Sequence, residues 1–281
     1  MTFAEKLTAS TLSHNSLLCV GLDPPQELVD RLGFADYAQF NRAIIEATGD
    51  HVCAYKPQFA HYASVGREKD LEATIAAIRR HLPDIPVILD AKRGDIGNTA
   101  IQYAREVFER YQVDAATVNP YMGLDTLEPF VRYADRGVLV LVKTSNPGSK
   151  DFQELELASG EPLYMAVAEA VARLGPNVGF VIGATYPEQL CALRARFPDT
   201  VFLVPGVGAQ RADVAQVVSA GIDRDGKGIV INASRAILLA DEGTSGRQAY
   251  LAAVERAARA LRDEINVFRR RGAIATNPSL T

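Results

Sequence analysis

Eight short apolar runs recur along the chain: Leu17–Gly21, Val52–Tyr55, Val87–Leu89, Ala115–Val118, Val138–Val142, Val178–Ile182, Val201–Val204 and Gly228–Ile231. None alternates apolar with polar as a strand with one wet face does, so each predicts a strand covered on both sides. Between them lie segments with apolar positions at helical spacing: Ala35–Thr48, Glu68–His81, Thr99–Tyr111, Leu124–Tyr133, Pro162–Leu174, Pro187–Arg196, Arg211–Ser219 and a long one, Gly246–Arg270. Strict strand–helix alternation predicts parallel strands with right-handed crossovers. Eight such units with no leftover half-domain predict an α/β fold, a single closed (β/α)8 TIM barrel, in preference to a doubly wound sheet. A short N-terminal helix over residues 3–13 is placed to close one end, and the extended C-terminal helix completes the outer ring. No linker or composition shift marks a second domain. Residues 1–271 therefore form the expected barrel, and residues 272–281, with Ala, Thr, Asn, Pro and Ser among them, an expected loose tail.

In barrels of this kind the chemistry sits at the carboxyl ends of the strands. Here the first strand leads to Asp23, the second to Lys56, the third to Asp90 and Lys92, and the fifth to Lys143-Thr144-Ser145-Asn146-Pro147. The seventh leads to Pro205-Gly206-Val207-Gly208-Ala209-Gln210 and the eighth to Asn232-Ala233-Ser234-Arg235. Solvation alone does not account for polar groups gathering after nearly every strand on one side.

The densest stretch runs from Pro86 to Ala100. Asp90 and Lys92 are two apart, so regular strand geometry would point both to the same side. Gly94 closes the strand and Asp95 follows on the loop. Two carboxylates and an ammonium so close together are costly to desolvate unless they pair. An isolated run of this kind is usually a structural salt bridge. Lys56 and Asp23, facing the same mouth, shift the balance toward a coupled set of charges that keeps both lysines protonated. A protonated lysine can stabilise a developing carbanion and then protonate it, while a neighbouring carboxylate repels a substrate carboxylate. Both effects favour decarboxylation. The glycines at 206 and 208, followed by an expected helix start at Arg211, let backbone N–H groups approach an anion. Arg235 adds a two-pronged cationic donor, so the last two loops predict a phosphate site.

Composition narrows the partners. The formal charge of −4 over 281 residues gives no basic surface for nucleic acid or an anionic membrane. No segment is long and apolar enough to span a membrane, and the start lacks a signal peptide's apolar stretch, so a cytoplasmic protein is expected. Cys19, Cys53 and Cys191 have no CxxC spacing and are expected as reduced core residues. The four histidines show no metal-ligand spacing, and no metal site is expected.

The run Asp90, Lys92, Asp95, Ile96, Thr99, with Lys56 on the preceding strand, resembles the orotidine 5′-phosphate decarboxylase family. The resemblance extends through Leu22-Asp23-Pro24, Thr144-Ser145-Asn146, the 205–210 loop and Arg235. Asp95-Ile96-Gly97, where many members read D-I-P, is similar to the family's more divergent bacterial group, although Arg211-Ala212 stand where glycines often follow the glutamine. The resemblance implies decarboxylation of orotidine 5′-phosphate to uridine 5′-phosphate in pyrimidine synthesis, with no cofactor. By it, Lys92 donates the proton to C6, Asp90 lies against the departing carboxylate, and Lys56 holds Asp90 and contacts the ribose. Asp23 also binds the ribose, Ser145 the pyrimidine, and Gly206, Gly208, Gln210 and Arg235 the phosphate. Asp95, Ile96 and Thr99 would cross the interface of a homodimer with shared sites. Two other expectations compete with this one. One is a Mg²⁺-dependent sugar-phosphate decarboxylase of the keto-gulonate phosphate type, for which an acidic ligand rather than Lys56 is expected after the second strand. The other is a silent nucleotide-phosphate-binding barrel.

Overall fold

The computed structural model describes residues 1–207, 213–240 and 246–276, with side chains to residue 270. Eight parallel strands are present: β1 (Leu18–Gly21), β2 (Ala54–Lys56), β3 (Ile88–Arg93), β4 (Ala115–Val118), β5 (Gly137–Lys143), β6 (Val178–Ile182), β7 (Phe202–Pro205) and β8 (Ile229–Ala233). They pair in the order β2-β1-β8-β7-β6-β5-β4-β3. The seam between β2 and β3 is closed by single bridges, Tyr55 with Val87 and Gln58 with Asp90. The expected barrel is therefore the observed one.

The helices are α1 (Phe3–Ser13), α2 (Gln26–Arg31), α3 (Tyr37–Thr48), α4 (Phe59–Ala63), α5 (Glu68–His81) and α6 (Gly97–Arg105). They continue with α7 (Glu128–Val131), α8 (Leu163–Ala172), α9 (Pro187–Arg196), α10 (Val214–Gly221), α11 (Arg235–Leu238) and α12 (Arg247–Thr276). Helix α12 runs six residues past the expected end at Arg270, into the segment expected to be loose; residues 277–281 lie outside the described residues. α6 is prolonged by one wider turn over Glu106–Arg110, which accounts for the single helix expected there.

Two apolar layers hold the barrel together. Outward strand residues such as Leu18, Val20, Leu89, Val140 and Ile231 pack against the helices, and each buried side chain of this size contributes about 1.5–3 kcal/mol. Inward residues, among them Cys19, Ala54, Ile88, Leu139, Leu203 and Val230, fill the lumen, and Phe3 and Leu7 of α1 plug it from the amino end. Cys19 and Cys53 are buried as expected, and burial pushes the Cys53 thiol up to about 12. Cys191 corrects the expectation: it is exposed, because α9 turns Leu190, Leu193 and Arg194 inward and leaves Cys191 on the outer face.

Candidate active site

Strand parity decides which side chains face the mouth. Two residues beyond each inward apolar position, alternation delivers a second inward layer. It holds Lys56, Asp90, Thr117 and Asn232, with Leu141 and Pro205 as apolar wall.

Asp90 is the centre of this layer. Its Oδ2 accepts from Lys56 Nζ at 2.9 Å, and its Oδ1 accepts from Lys92 Nζ at 2.6 Å and Thr117 Oγ1 at 2.8 Å. The Asp90 N–H donates to Pro57 O at 3.0 Å, so the barrel seam itself fixes the backbone of the carboxylate. Lys56 is only 3% exposed. Burial pulls its ammonium down, but the carboxylates of Asp90 and Asp23 more than reverse this and raise it above the ordinary lysine value. Burial alone would push Asp90 up; the two ammoniums outweigh it and hold the carboxyl well below the usual range. The central carboxylate is ionised at any physiological pH.

Asp90 and Lys92 meet, though not by regular strand alternation. Lys92 has φ +46°, a left-handed conformation unusual for a side chain with a Cβ, and β3 shifts register against β4 between Leu89 and Arg93. Thr117 Oγ1 accepts the Lys92 N–H at 2.9 Å and thereby braces the kink. Arg93, next in line, makes a two-pronged pair with Glu106 at 2.8 and 2.9 Å and lies over the rings of Phe59 and Tyr103. Backbone strain of this type costs about 1–3 kcal/mol and persists only where neighbours over-determine it.

A second group forms where β1 meets β8. Asp23 Oδ1 accepts the Gln58 N–H at 3.0 Å, and Oδ2 accepts from Ser234 Oγ at 2.7 Å. A Cβ on Gly21 would lie 1.8 Å from Ser234 Oγ, so only glycine lets these two strand ends approach. Arg235 opens α11, and Gly206, with φ +106°, makes the turn after β7.

Two neighbouring cavities share Lys56, Asp90, Ser145 and Pro205. The larger, about 590 Å³, adds Asp23, Gly206, Asn232, Ser234 and Arg235. The smaller, about 350 Å³, adds Lys92, Thr117, Leu141, Val181 and Leu203. One compartment carries a cation beside a glycine turn and hydroxyl partners. The other has mostly apolar walls, with an ammonium and a carboxylate at its end.

Of the residues expected to act, Lys92, Asp90, Lys56, Asp23, Ser145, Gly206 and Arg235 line these two cavities. Asp95, Ile96 and Thr99 do not. Asp95 Oδ1 accepts the N–H of Ile96, and Ile96, 61% exposed, and Thr99 face away from the chain at the start of α6. Gly208 and Gln210 lie outside the described residues, as does the expected helix start at Arg211; the described helix begins at Val214, capped by Asp213. Thr117 was not among the expected residues, and Asn232 was noted only as a polar group after the eighth strand with no role; counting two from each inward apolar residue would have singled out both. Lys143, expected at the mouth, turns behind it. It is fully buried, with Nζ 2.6 Å from Ser149 Oγ, 3.0 Å from Glu154 Oε1 and 3.9 Å from the centre of the Tyr186 ring, and anchors the loop that carries Ser145.

Fold and mouth together define a parallel (β/α)8 barrel whose charged groups converge at the carboxyl ends of its strands. The family model for orotidine 5′-phosphate decarboxylase / HUMPS matches residues 16–250, and the chain belongs to that family. It is 50% identical over 278 residues to a Cellvibrio japonicus protein named orotidine 5′-phosphate decarboxylase, covering 96% of this chain and 100% of that one. A Ralstonia pickettii protein of the same name is 49% identical over 275 residues, with the same shares covered. Among solved structures, Leishmania donovani OMP decarboxylase superposes with a TM-score of 0.81 at 40% identity, covering 96% of this chain and 100% of that chain. Among the described residues no helix is long and apolar enough to cross a membrane.

Proposed function

We propose that this chain decarboxylates orotidine 5′-phosphate to uridine 5′-phosphate, a step of pyrimidine nucleotide synthesis, in the cytoplasm and without a cofactor. The observation that carries the proposal is a carboxylate desolvated between two ammoniums, Lys56 at 2.9 Å and Lys92 at 2.6 Å, on the mouth that also holds Arg235. In this mechanism Gly206, Gly208, Gln210 and Arg235 grip the phosphate, Asp23 and Lys56 hold the ribose, and Ser145 bonds the pyrimidine. The substrate carboxylate then lies against Asp90. The bond from C6 to the carboxylate breaks, CO₂ departs, and the electron pair stays on C6. Lys92 Nζ gives its proton to C6 and is left neutral until water restores it. Preorganised positive charge beside C6 stabilises the carbanion, and phosphate contacts remote from C6 hold the ring in place. Catalysis of this kind lowers barriers by about 8–23 kcal/mol, with vinyl-type carbanions at the demanding end.

The proposed assembly is a homodimer with shared sites. Asp95, Ile96 and Thr99 point away from their own cavities, and the exposed apolar side chains of Tyr121, Met122 and Leu124 lie on the loop after the neighbouring strand β4. Lys56, already bonded to Asp90, stands where the metal-dependent alternative calls for an acidic ligand. An absorbance assay on orotidine 5′-phosphate with and without EDTA tests the activity: turnover unaffected by chelator is expected, and no turnover sinks the proposal. Mixing inactive Lys92→Ala and Asp95→Ala proteins tests the shared site. One site of each hybrid keeps both residues, so random exchange should restore about a quarter of full activity. Demonstrated exchange without recovery rules out Asp95 acting across the interface.

A further inference from the structure

We infer that Asn232 binds the sugar–phosphate half of the nucleotide through a carboxamide whose Oδ1 finds no partner among the described residues. The inference deepens the proposed function and rests on it. Ile231 and Ala233, on either side of Asn232 in β8, belong to the outer core, while Val230 belongs to the lumen, so Asn232 points inward. It is 6% exposed and lines the larger cavity with Asp23, Lys56, Gly206, Ser234 and Arg235. Its Oδ1 is buried without a hydrogen-bond partner among the described residues.

The strand neighbours explain why no partner comes from the described residues. In the ladder Asn232 sits opposite Cys19 of β1 and Pro205 of β7. Proline offers no side-chain donor or acceptor, and a thiol is a weak one. The other polar residues of this layer are all paired: Lys56 and Thr117 both bond to Asp90. An apolar residue would suit the position better if packing were its only duty, since an unpaired buried amide is a net cost to folding. The missing partner must therefore enter from the cavity. Rotation about the last side-chain bond exchanges the amide's two ends, so it can present either donors or an acceptor.

Position identifies which part of a ligand arrives there. Asn232 lies three residues before Arg235 and beside β7, which leads into Gly206, so it is on the phosphate side. Lys92, Thr117 and Leu141 line only the smaller compartment, which Asn232 does not reach. The groups within its range are sugar hydroxyls and ester oxygens. A neutral amide recognises these without adding charge beside the Asp23–Lys56–Asp90 set.

The test measures binding of uridine 5′-phosphate and of ribose 5-phosphate by calorimetry, together with thermal melts, for Asn232→Leu and Asn232→Ala. Both variants are expected to bind each ligand about tenfold more weakly, with KM rising more than kcat falls. Ligand-free Asn232→Leu is expected to melt at or above the wild-type temperature, because it removes an unpaired polar atom. Unchanged affinities in both variants overturn the inference, as does weakened uridine 5′-phosphate binding with ribose 5-phosphate unaffected. A folding failure or lower melting temperature in Asn232→Leu, with Asn232→Ala binding normally, makes the residue structural and also overturns it. If the wild type itself neither binds uridine 5′-phosphate nor turns over orotidine 5′-phosphate, the parent proposal falls with it.

Discussion

The two ends of this barrel solve opposite problems with the same strands. At the amino end, the buried charges of Arg194 and Asp114 are satisfied within the chain. Arg194 donates to the carbonyls of Gly221, Phe197, Pro198, Thr200 and Gly228 and lies over the Phe202 ring, tying the ends of α9 and α10 to the starts of β7 and β8. Burial draws its guanidinium down to about 10, which still leaves it charged at neutral pH. Asp114 accepts from both Lys6 of α1 and the Val87 N–H, at 2.8 Å each. At the carboxyl end, Asp90 is crowded by two cations, Lys92 is held in a left-handed conformation, and Asn232 has an oxygen unpaired among the described residues. The buried charges of the first end tie elements to one another, whereas those of the second line cavities that a ligand can enter.

The sharpest way to break this division is to disable one residue at each end. Lys92→Ala should lower kcat by about 10⁴-fold or more, since it removes both the proton donor and a positive charge beside C6. Its melting temperature should stay within a few degrees of wild type. Arg194→Met should do the reverse, stranding several buried carbonyls at a cost of about 3–5 kcal/mol and lowering the melting temperature by about 6–15 °C. Its kcat/KM, measured well below that temperature, should be unchanged. If Arg194→Met stays folded yet loses catalysis, the two ends are not independent.

A smaller effect separates the mouth by pH. The folded-state carboxyl of Asp90 is depressed, so its contribution is present above the unfolded value near ~4 and is lost as pH falls below it. Lys56 is shifted upward, so its contribution is intact below the unfolded value near ~10.4 and is lost as pH rises beyond. The pair thus gives a plateau with a falling limb on each side. Urea unfolding of the wild type against a Lys56→Met/Asp90→Asn double variant should show a constant difference from about pH 5 to 9. That difference should shrink by about 1 kcal/mol on acidification to pH 3. Identical acid limbs in the two proteins would mean that the charges at the mouth do not contribute to folding.

The same contrast explains what the sequence made legible. Apolar runs located all eight strands, and helical spacing placed α5 and α9 to the residue, because long amphipathic segments carry several turns of signal. The short helices α2 and α4 hold fewer than two full turns and left no periodic trace. β2, β3 and β8 run past the end of their apolar stretches, since the strand continues under the polar residues of the mouth. The charged cluster stood out because ionised groups so close together demand an explanation. Thr117 and Asn232 did not, since a single neutral polar residue at a strand's end is ordinary until register shows that it faces inward. Lys143 misled for a related reason: β5 shifts register against β6 between Leu141 and Lys143, and a run of letters cannot display that shift.

The smallest expected effect lies at the amino end, in the cap of the plugging helix. Thr2 precedes α1; its Oγ1 accepts the Glu5 N–H at 3.3 Å, and Glu5 Oε2 accepts the Thr2 N–H at 2.8 Å. This reciprocal pair satisfies two groups that a helix start otherwise leaves to water, and it fixes where Phe3 enters the lumen. Thr2→Ala should cost about 1 kcal/mol and lower the melting temperature by roughly 2–4 °C. Affinity for uridine 5′-phosphate should not change, because α1 touches neither cavity at the mouth. A loss of affinity alongside the small loss of stability would show that the plug's position is transmitted up the lumen, through Leu139 and Leu203, to the residues that face the ligand.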